Sequence, residues 1–266
     1  MKRLIFSIAA TMALLTCAAQ DWAKERIDKS PRHLEWVKVK HGEREVNCFI
    51  AYPEVKGKAT AVIVIHEIFG LTDWVRSVAD QLAEAGYIAI APDLLSGTAP
   101  GGGGTSELGG SDAVRKVIAA LPTEQITADL NAVAAYLTKL SACNGKLASA
   151  GFCWGGARSF RFATDNKDLK AAFVLYGTAP ETEAELKRIQ CPVYGFYAEN
   201  DARVGATIQK TTELMKKTGK TYEPITYEGA GHGFMRAGED PTDKNPMNKK
   251  ARLQAWKRWK ELLGKI

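Results

Sequence analysis

The 266-residue chain is poor in the features that define several protein classes. It holds only 5 cysteines, too few for a disulfide-rich scaffold, and no pair of cysteines or histidines has the spacing of zinc ligands. Lys and Arg number 36 against 30 Asp and Glu, without a long basic block, so nucleic acid is not expected as a partner. The chain also lacks a phosphate-binding glycine motif, and we expect neither a metal nor a cofactor.

Apolar runs are also short, and the longest one lies at the N-terminus. Lys2 and Arg3 precede an apolar run over residues 4–15, and the small residues 16–19 follow it. This order is typical of a secretory signal peptide. No other run approaches the roughly 20 apolar residues of a transmembrane helix, so we expect no membrane span. We predict that residues 1–19 are cleaved after Ala19 and that the protein is exported to the periplasm or secreted, with a frayed helix as the alternative.

The cysteines fall into three groups. Cys17 follows an imperfect lipobox at residues 14–16, so lipid anchoring at this residue is an alternative fate of the N-terminal segment. Cys153 belongs to the motif described below. Cys48, Cys143 and Cys191 can form at most one disulfide in the oxidising compartment that export implies, and the sequence leaves their pairing open.

Strand and helix patterns alternate through the rest of the chain. Residues 33–53 alternate around a turn at 41–43, which predicts a β-hairpin, and continuous apolar runs typical of buried strands follow from residue 61. We therefore predict an α/β fold, with a mostly parallel central sheet, helices on both faces and an N-terminal antiparallel hairpin. No linker or repeat divides residues 20–266, which are predicted to form a single domain. Residues 96–110, rich in Gly, Ser and Thr, are predicted to form a mobile loop.

The individual elements can be placed from these patterns. After the hairpin, strands are predicted at residues 61–65, 87–91, 146–152, 171–176, 192–198 and 221–228. Helices are predicted at residues 72–85, 111–120, 123–140, 154–164, 181–188, 207–217 and 246–263.

One motif at a predicted strand-to-helix junction indicates a possible catalytic nucleophile. Residues 151–155 read Gly-Phe-Cys-Trp-Gly, a G-x-C-x-G pattern in which Cys153 occupies the place of the serine in a G-x-S-x-G nucleophile elbow. Such a turn exposes the nucleophile above the sheet, and the start of the following helix favours the thiolate. Taken alone, the motif is more typical of a buried cysteine in a glycine-rich turn.

Two further residues downstream strengthen the catalytic interpretation. Asp201 follows one predicted strand and His232 follows the next, so both lie at the sheet edge where α/β proteins place their sites. The order nucleophile, acid, base is that of an α/β-hydrolase triad. Glu199 competes with Asp201 as the acid. His66 lies in the wrong chain order and is expected to be hydrogen-bonded near the site, and Asp93 is expected to shape a neighbouring loop.

With these residues in place, the chain resembles the dienelactone hydrolase family of α/β-hydrolases from about Glu45 onward. The resemblance rests on five segments, namely residues 66–70 (HEIFG), 91–95 (APDLL), 151–156 (GFCWGG), 197–201 (YAEND) and 231–234 (GHGF). It implies an α/β-hydrolase fold and a carboxylic ester hydrolase that cleaves a small ester or lactone through a cysteine thioester.

The resemblance also assigns roles to residues. It implies a triad of Cys153, Asp201 and His232, with Glu67 helping to deprotonate the thiol when substrate arrives. The backbone N–H groups of Trp154, directly after the nucleophile, and Ile68, directly after Glu67, are the candidate oxyanion-hole donors.

Substrate contacts are less well defined. Arg236 matches a family position that binds a substrate carboxylate, although a solvent-facing loop arginine is equally compatible with the sequence, and Phe69 and Tyr176 are expected to line the site. The glycine-rich loop departs from the family pattern, and Arg115 near it cannot be aligned. We expect a monomer acting on a small molecule. The alternative is a non-catalytic protein of this fold used for ligand binding or association, since an accessible thiol is prone to oxidation in an exported protein.

Overall fold

The computed structural model describes residues 20–266, so the predicted signal peptide and Cys17 lie outside the described residues. The strands are β1 (Leu34–His41), β2 (Arg44–Ala51), β3 (Ala59–Ile65), β4 (Ile88–Pro92), β5 (Cys143–Phe152), β6 (Leu169–Leu175), β7 (Val193–Asn200) and β8 (Tyr222–Gly231). The helices are α1 (Asp21–Asp28), α2 (Asp73–Glu84), α3 (Ser111–Ala120), α4 (Thr123–Lys139), α5 (Trp154–Asp165), α6 (Glu183–Leu186), α7 (Ala202–Lys217), α8 (Phe234–Ala237) and α9 (Pro246–Leu263).

All eight strands form one sheet in the order β1-β2-β4-β3-β5-β6-β7-β8. The hairpin β1-β2 is antiparallel and joins β4 in the antiparallel sense, while every pairing from β4 to β8 is parallel. The predicted mostly parallel sheet with an antiparallel N-terminal hairpin is confirmed. Within residues 20–266, no helix has the length and apolar content needed to cross a membrane.

The core lies on both faces of the sheet, and β3 shows why its sequence is continuously apolar. Its side chains alternate between two clusters: Val62 and Val64 pack with α2 and α9 on one face, and Ile63 and Ile65 pack with α4 and α5 on the other. All four side chains are fully buried. Because both faces are covered, no position of the strand is left for a polar residue.

Two helices were not predicted, and a third begins earlier than expected. Helix α1 is mostly polar, with only Ala23 buried, and α8 has four residues, so neither has a clear apolar period. Helix α7 begins at Ala202 rather than at residue 207. The Asp201 side chain caps it, because Oδ1 accepts a hydrogen bond from the backbone N–H of Val204 at 3.3 Å.

The glycine-rich segment is attached to the sheet edge through Thr105. Its backbone N–H and its hydroxyl each donate to the Asp93 carboxylate at 2.7 Å, and the hydroxyl accepts from the Leu71 N–H at 3.0 Å. A Cβ atom at Gly104 would lie 2.2 Å from Asp93 Oδ2, so this close approach requires glycine. Asp93 therefore shapes the loop, as expected, whereas the mobility of the loop stays a prediction.

The described cysteines are unpaired. Among residues 20–266, none of Cys48, Cys143, Cys153 and Cys191 forms a disulfide. Three of them are buried, and Cys153 alone is partly exposed. The pairing that the sequence left open is therefore not present in this fold, and the exposed thiol is the one in the motif.

Candidate active site

Cys153 sits in a sharp turn between β5 and α5. Its φ of +56° lies in the left-handed region, which is costly for a residue with a side chain. The flanking glycines make this turn possible, because a Cβ at Gly151 would lie 1.9 Å from the Gly155 carbonyl oxygen, and one at Gly155 would lie 2.3 Å from the His66 carbonyl oxygen. The strained turn holds the thiol at the carboxyl edge of the sheet, at the N-terminal end of α5.

Asp201 and His232 lie beside each other at the same edge. Asp201 directly follows β7 and His232 directly follows β8, and the His232 Nδ1 lies 2.5 Å from Asp201 Oδ2. Since an ionised carboxylate can only accept, the proton of this bond is on Nδ1. Glu199 is exposed and accepts instead from the Gly229 N–H at 2.8 Å. The structure therefore brings Asp201, and not Glu199, to the histidine.

Several neighbouring groups shift the pKa of the Cys153 thiol in opposite directions. Burial raises this pKa, and the negative charge of Glu67 raises it further. The backbone N–H groups of Trp154 and Ile68 and the positive charge of Arg203 lower it, but the net shift is upward. At neutral pH the resting thiol is therefore mainly protonated. Both N–H groups that were predicted as oxyanion-hole donors thus favour the thiolate form of Cys153.

Glu67 is a buried carboxylate paired with Arg236. The Arg236 Nε donates to Glu67 Oε2 at 2.8 Å, and the Arg236 guanidinium lies 5.3 Å from the centre of the Phe69 ring. The guanidinium of Arg115 lies 5.1 Å from the same ring. Burial raises the pKa of Glu67, and the positive charge of Arg236 opposes that shift. In this state Arg236 is occupied by Glu67, so its charge is largely compensated.

Tyr176 and His66 complete the surroundings. Tyr176 is fully buried with a φ of +42°, and its ring meets the His232 ring edge-on at 5.1 Å. The His66 Nδ1 lies 2.8 Å from the Glu67 carbonyl oxygen, and its ring stacks on Trp154 at 5.3 Å. Burial lowers the pKa of His66, which favours the neutral ring. His66 is thus a buried, hydrogen-bonded residue near the site, as expected.

Cys153 and several of its neighbours line a cavity of about 500 Å³. Its lining includes Cys153, His232, Tyr176, Trp154 and Ile68, together with Ala157, Gly177, Thr178 and Arg203. Within residues 20–266 no hydrogen bond joins the Cys153 thiol to His232, although both face this space. The described part of the chain also holds no cluster of three His, Cys, Asp or Glu side chains suited to a metal ion.

The lining of the cavity differs from the sequence prediction at several positions. Phe69 and Arg236 were expected to contact substrate, but they form the Glu67 cluster beside the cavity rather than part of its lining. Arg203 was not predicted. Its position two residues after the candidate acid, at a strand end, is the signal that could have indicated it.

The chain is similar to proteins of one family. The sequence model of the dienelactone hydrolase family matches residues 46–266. A Yersinia pestis protein named "putative carboxymethylenebutenolidase" is 32% identical over 203 residues, which cover 71% of this chain and 74% of that protein. A protein of the same name from Methylorubrum extorquens is 30% identical over 210 residues, covering 74% and 71%. A solved structure from Klebsiella pneumoniae, described as a "putative dienelactone hydrolase", has a TM-score of 0.75 at 25% identity and covers 88% of this chain and 99% of its own.

Proposed function

This chain belongs to the dienelactone hydrolase family, and we propose that it hydrolyses small esters or lactones with Cys153 as nucleophile. The observation that carries the proposal is the convergence of four groups on one cavity. Cys153 and His232 both line it, Asp201 is hydrogen-bonded to His232, and Trp154 and Ile68, whose N–H groups lower the pKa of the thiol, line it too. The relatives named for carboxymethylenebutenolide, a lactone, favour this bond type as the substrate.

The geometry supports a two-step acyl transfer. The Cys153 thiolate adds to the carbonyl carbon, and the oxyanion is held by the Trp154 and Ile68 N–H groups. When the intermediate collapses, the C–O bond breaks and the leaving oxygen takes the proton that Cys153 gave up to Glu67, which leaves a thioester. A water molecule then gives a proton to His232 and attacks the thioester carbonyl. The C–S bond breaks, the acid is released and the thiolate takes the proton back from His232, while Asp201 stabilises the charged imidazole during this second step.

Glu67 is the group that we propose to take the thiol proton. Its carboxylate is near enough to Cys153 to raise the thiol pKa, yet it is held by Arg236 in the resting state. A substrate that draws Arg236 away would free this buried carboxylate. Since burial raises the pKa of Glu67, an unpaired Glu67 is a stronger base than an exposed glutamate.

The test compares the wild type with Cys153→Ala and with Cys191→Ala as a control, because Cys191 is buried outside the cavity. We expect Cys153→Ala to lower kcat/KM for p-nitrophenyl hexanoate and for a butenolide by a factor of about 10³ or more, since no nucleophile is left for the thioester route. Cys191→Ala should stay within about threefold of the wild type, as its thiol is remote from the reacting atoms. Mass spectrometry of quenched wild-type enzyme should find the acyl group on Cys153.

Equal, slow hydrolysis by the wild type and Cys153→Ala would contradict the proposal. That result, together with a Cys153 thiol that iodoacetamide does not label, would instead favour the non-catalytic binding protein considered from the sequence.

A further inference from the structure

His66 is a buried histidine beside the catalytic cavity to which the proposed reaction gives no role. It directly follows β3, it is fully buried, and it does not line the cavity. Its Nδ1 lies 2.8 Å from the Glu67 carbonyl oxygen. Since a carbonyl oxygen can only accept, the proton of this bond is on Nδ1. The other ring nitrogen, Nε2, has no hydrogen-bond partner among residues 20–266, so the hydrogen bond of this side chain within that range goes to the backbone.

The carbonyl group that His66 holds is one end of a peptide unit whose other end is the Ile68 N–H. This unit is trans, because no peptide bond of the described residues is cis, and its oxygen and its N–H hydrogen therefore point in opposite directions. A bond that holds the oxygen thus also fixes the direction of the N–H. Ile68 lines the cavity, and its N–H favours the thiolate form of Cys153.

Two further contacts surround this peptide unit. The Gly70 N–H also donates to the Glu67 carbonyl oxygen, at 3.2 Å against 2.8 Å for His66 Nδ1, and closes a turn over residues 67–70. The His66 ring stacks on the Trp154 ring, with 5.3 Å between the ring centres and 12° between the ring planes. His66 therefore has two contacts that could position an oxyanion-hole donor, namely a hydrogen bond and a ring stack.

We propose that His66 is a positioning residue, whose Nδ1–H directs the Ile68 N–H toward the oxyanion by holding the Glu67 carbonyl group. The hydrogen bond has this effect rather than the stack, because only the bond acts on the peptide unit that carries the donor. The Trp154 N–H, in contrast, belongs to the turn that the close approaches at Gly151 and Gly155 already fix. The inference rests on the proposed function for the reaction, but not for the direction of the Ile68 N–H in the resting protein.

Three substitutions separate the hydrogen bond from the stack. His66→Asn places an amide N–H₂ near the position of Nδ1 but has no ring, His66→Phe keeps a ring without a donor, and His66→Leu has neither. Asn and Leu have nearly the same shape, so these two variants differ mainly in the donor. His33→Leu is the matched control, because His33 is an exposed histidine that does not line the cavity. Thermal unfolding of each variant checks that it is folded.

The first measurement is steady-state hydrolysis of p-nitrophenyl hexanoate. His66→Phe and His66→Leu should each lower kcat by a factor of about 10 with KM within about threefold, because the Ile68 N–H acts on charge that develops in the transition state. This loss is smaller than the factor of about 10²–10³ for a missing donor, because Gly70 still holds the carbonyl group. His66→Asn and His33→Leu should keep kcat within about threefold of the wild type.

The second measurement does not require hydrolysis. When the Ile68 N–H turns away, the pKa of the Cys153 thiol rises, so the pH at which iodoacetamide labelling reaches half its maximal rate should increase. We expect an increase of about half a pH unit or more in His66→Phe and His66→Leu, and none in His66→Asn. Burial lowers the pKa of His66, against the opposing negative charge of Asp93, so the ring is neutral. None of the three variants therefore removes a charge from beside the thiol.

Wild-type kcat and labelling midpoint in His66→Leu would overturn the inference. Equal losses in His66→Asn and His66→Leu with recovery in His66→Phe would also overturn it, since that pattern would assign the effect to the stack on Trp154. If the wild type does not hydrolyse the ester while the labelling midpoint still rises in His66→Phe and His66→Leu but not in His66→Asn, the proposed hydrolase function fails and the positioning role of His66 stands.

Discussion

Replacing Asp201 by Asn separates two contacts made by one side chain. Oδ2 lies 2.5 Å from the His232 Nδ1, and Oδ1 accepts the N–H of Val204 at the start of α7. Asn keeps an oxygen for the helix cap, so we expect the free energy of unfolding to change by less than about 1 kcal/mol. It loses the negative charge beside His232, and its amide N–H₂ can donate to Nδ1, which leaves the histidine in the wrong tautomer to accept a proton at Nε2.

The size of the kinetic effect follows from the nature of the nucleophile. In a serine triad the same change lowers kcat by a factor of about 10⁴. A thiol needs less help from the base, so for Cys153 we expect a smaller loss, a factor of about 10² to 10³ in kcat, which corresponds to about 3–4 kcal/mol of transition-state stabilisation. Asp201 is only 7% exposed, so solvent cannot replace its charge. Deacylation should slow most, because that step needs His232 to activate water.

The assay is steady-state hydrolysis of p-nitrophenyl hexanoate, with mass spectrometry of quenched enzyme and thermal unfolding of each variant. Asp201→Asn should accumulate acyl-Cys153 while its Tm stays near that of the wild type. Glu199→Gln is the matched control, because this exposed carboxylate accepts from the Gly229 N–H rather than from His232, and its kcat should stay within about twofold. Asp201→Asn activity within about fivefold of the wild type, or an equal loss in Glu199→Gln, would refute the reasoning.

Two further predictions concern the thiol and the glycine-rich loop. Glu67→Gln should lower the pKa of Cys153, because it removes a charge that disfavours the thiolate, so the iodoacetamide rate should reach half its maximum at a lower pH than in the wild type. An unchanged or higher midpoint would contradict this effect of the Glu67 charge on the thiol. Gly104→Ala should destabilise the protein by about 1–3 kcal/mol, because the new Cβ would lie 2.2 Å from Asp93 Oδ2 and break the loop attachment. Gly57→Ala, with open space around it, is the control in thermal unfolding, and equal Tm values for the two variants would contradict this account.

The secondary structure was predictable where one physical signal dominated. Continuous apolar runs marked β3 and β4 because both faces of these strands are covered, and the turn at residues 41–43 marked the hairpin. The prediction failed where local sequence carried no period. Helix α7 extends to Ala202 because the side chain of Asp201 caps it, a contact that an apolar period cannot show.

In the candidate site, too, one part could be predicted from the sequence and another part could not. The sequence by itself determined that Cys153, Asp201 and His232 share one sheet edge, because each directly follows a strand that parallel topology brings to that edge. It favoured Asp201 over Glu199 as the acid but could not show which carboxylate reaches His232, since residues two apart differ only in where their side chains point. That choice depended on the path of the chain after β7.

Which charged side chains pair with each other near the cavity was decided by the tertiary structure alone. The sequence was equally compatible with Arg236 as a substrate contact and as a solvent-facing loop arginine, yet the fold pairs it with Glu67, which lies far away in the chain. Arg203, on the wall of the cavity, forms no salt bridge with any residue in the described range 20–266. Local periodicity reports which face of an element is buried, whereas the pairing of side chains distant in sequence depends on how the elements pack. The role of the Cys153 thiol could therefore be predicted from the sequence, whereas the pairing of the charged side chains around its cavity could not.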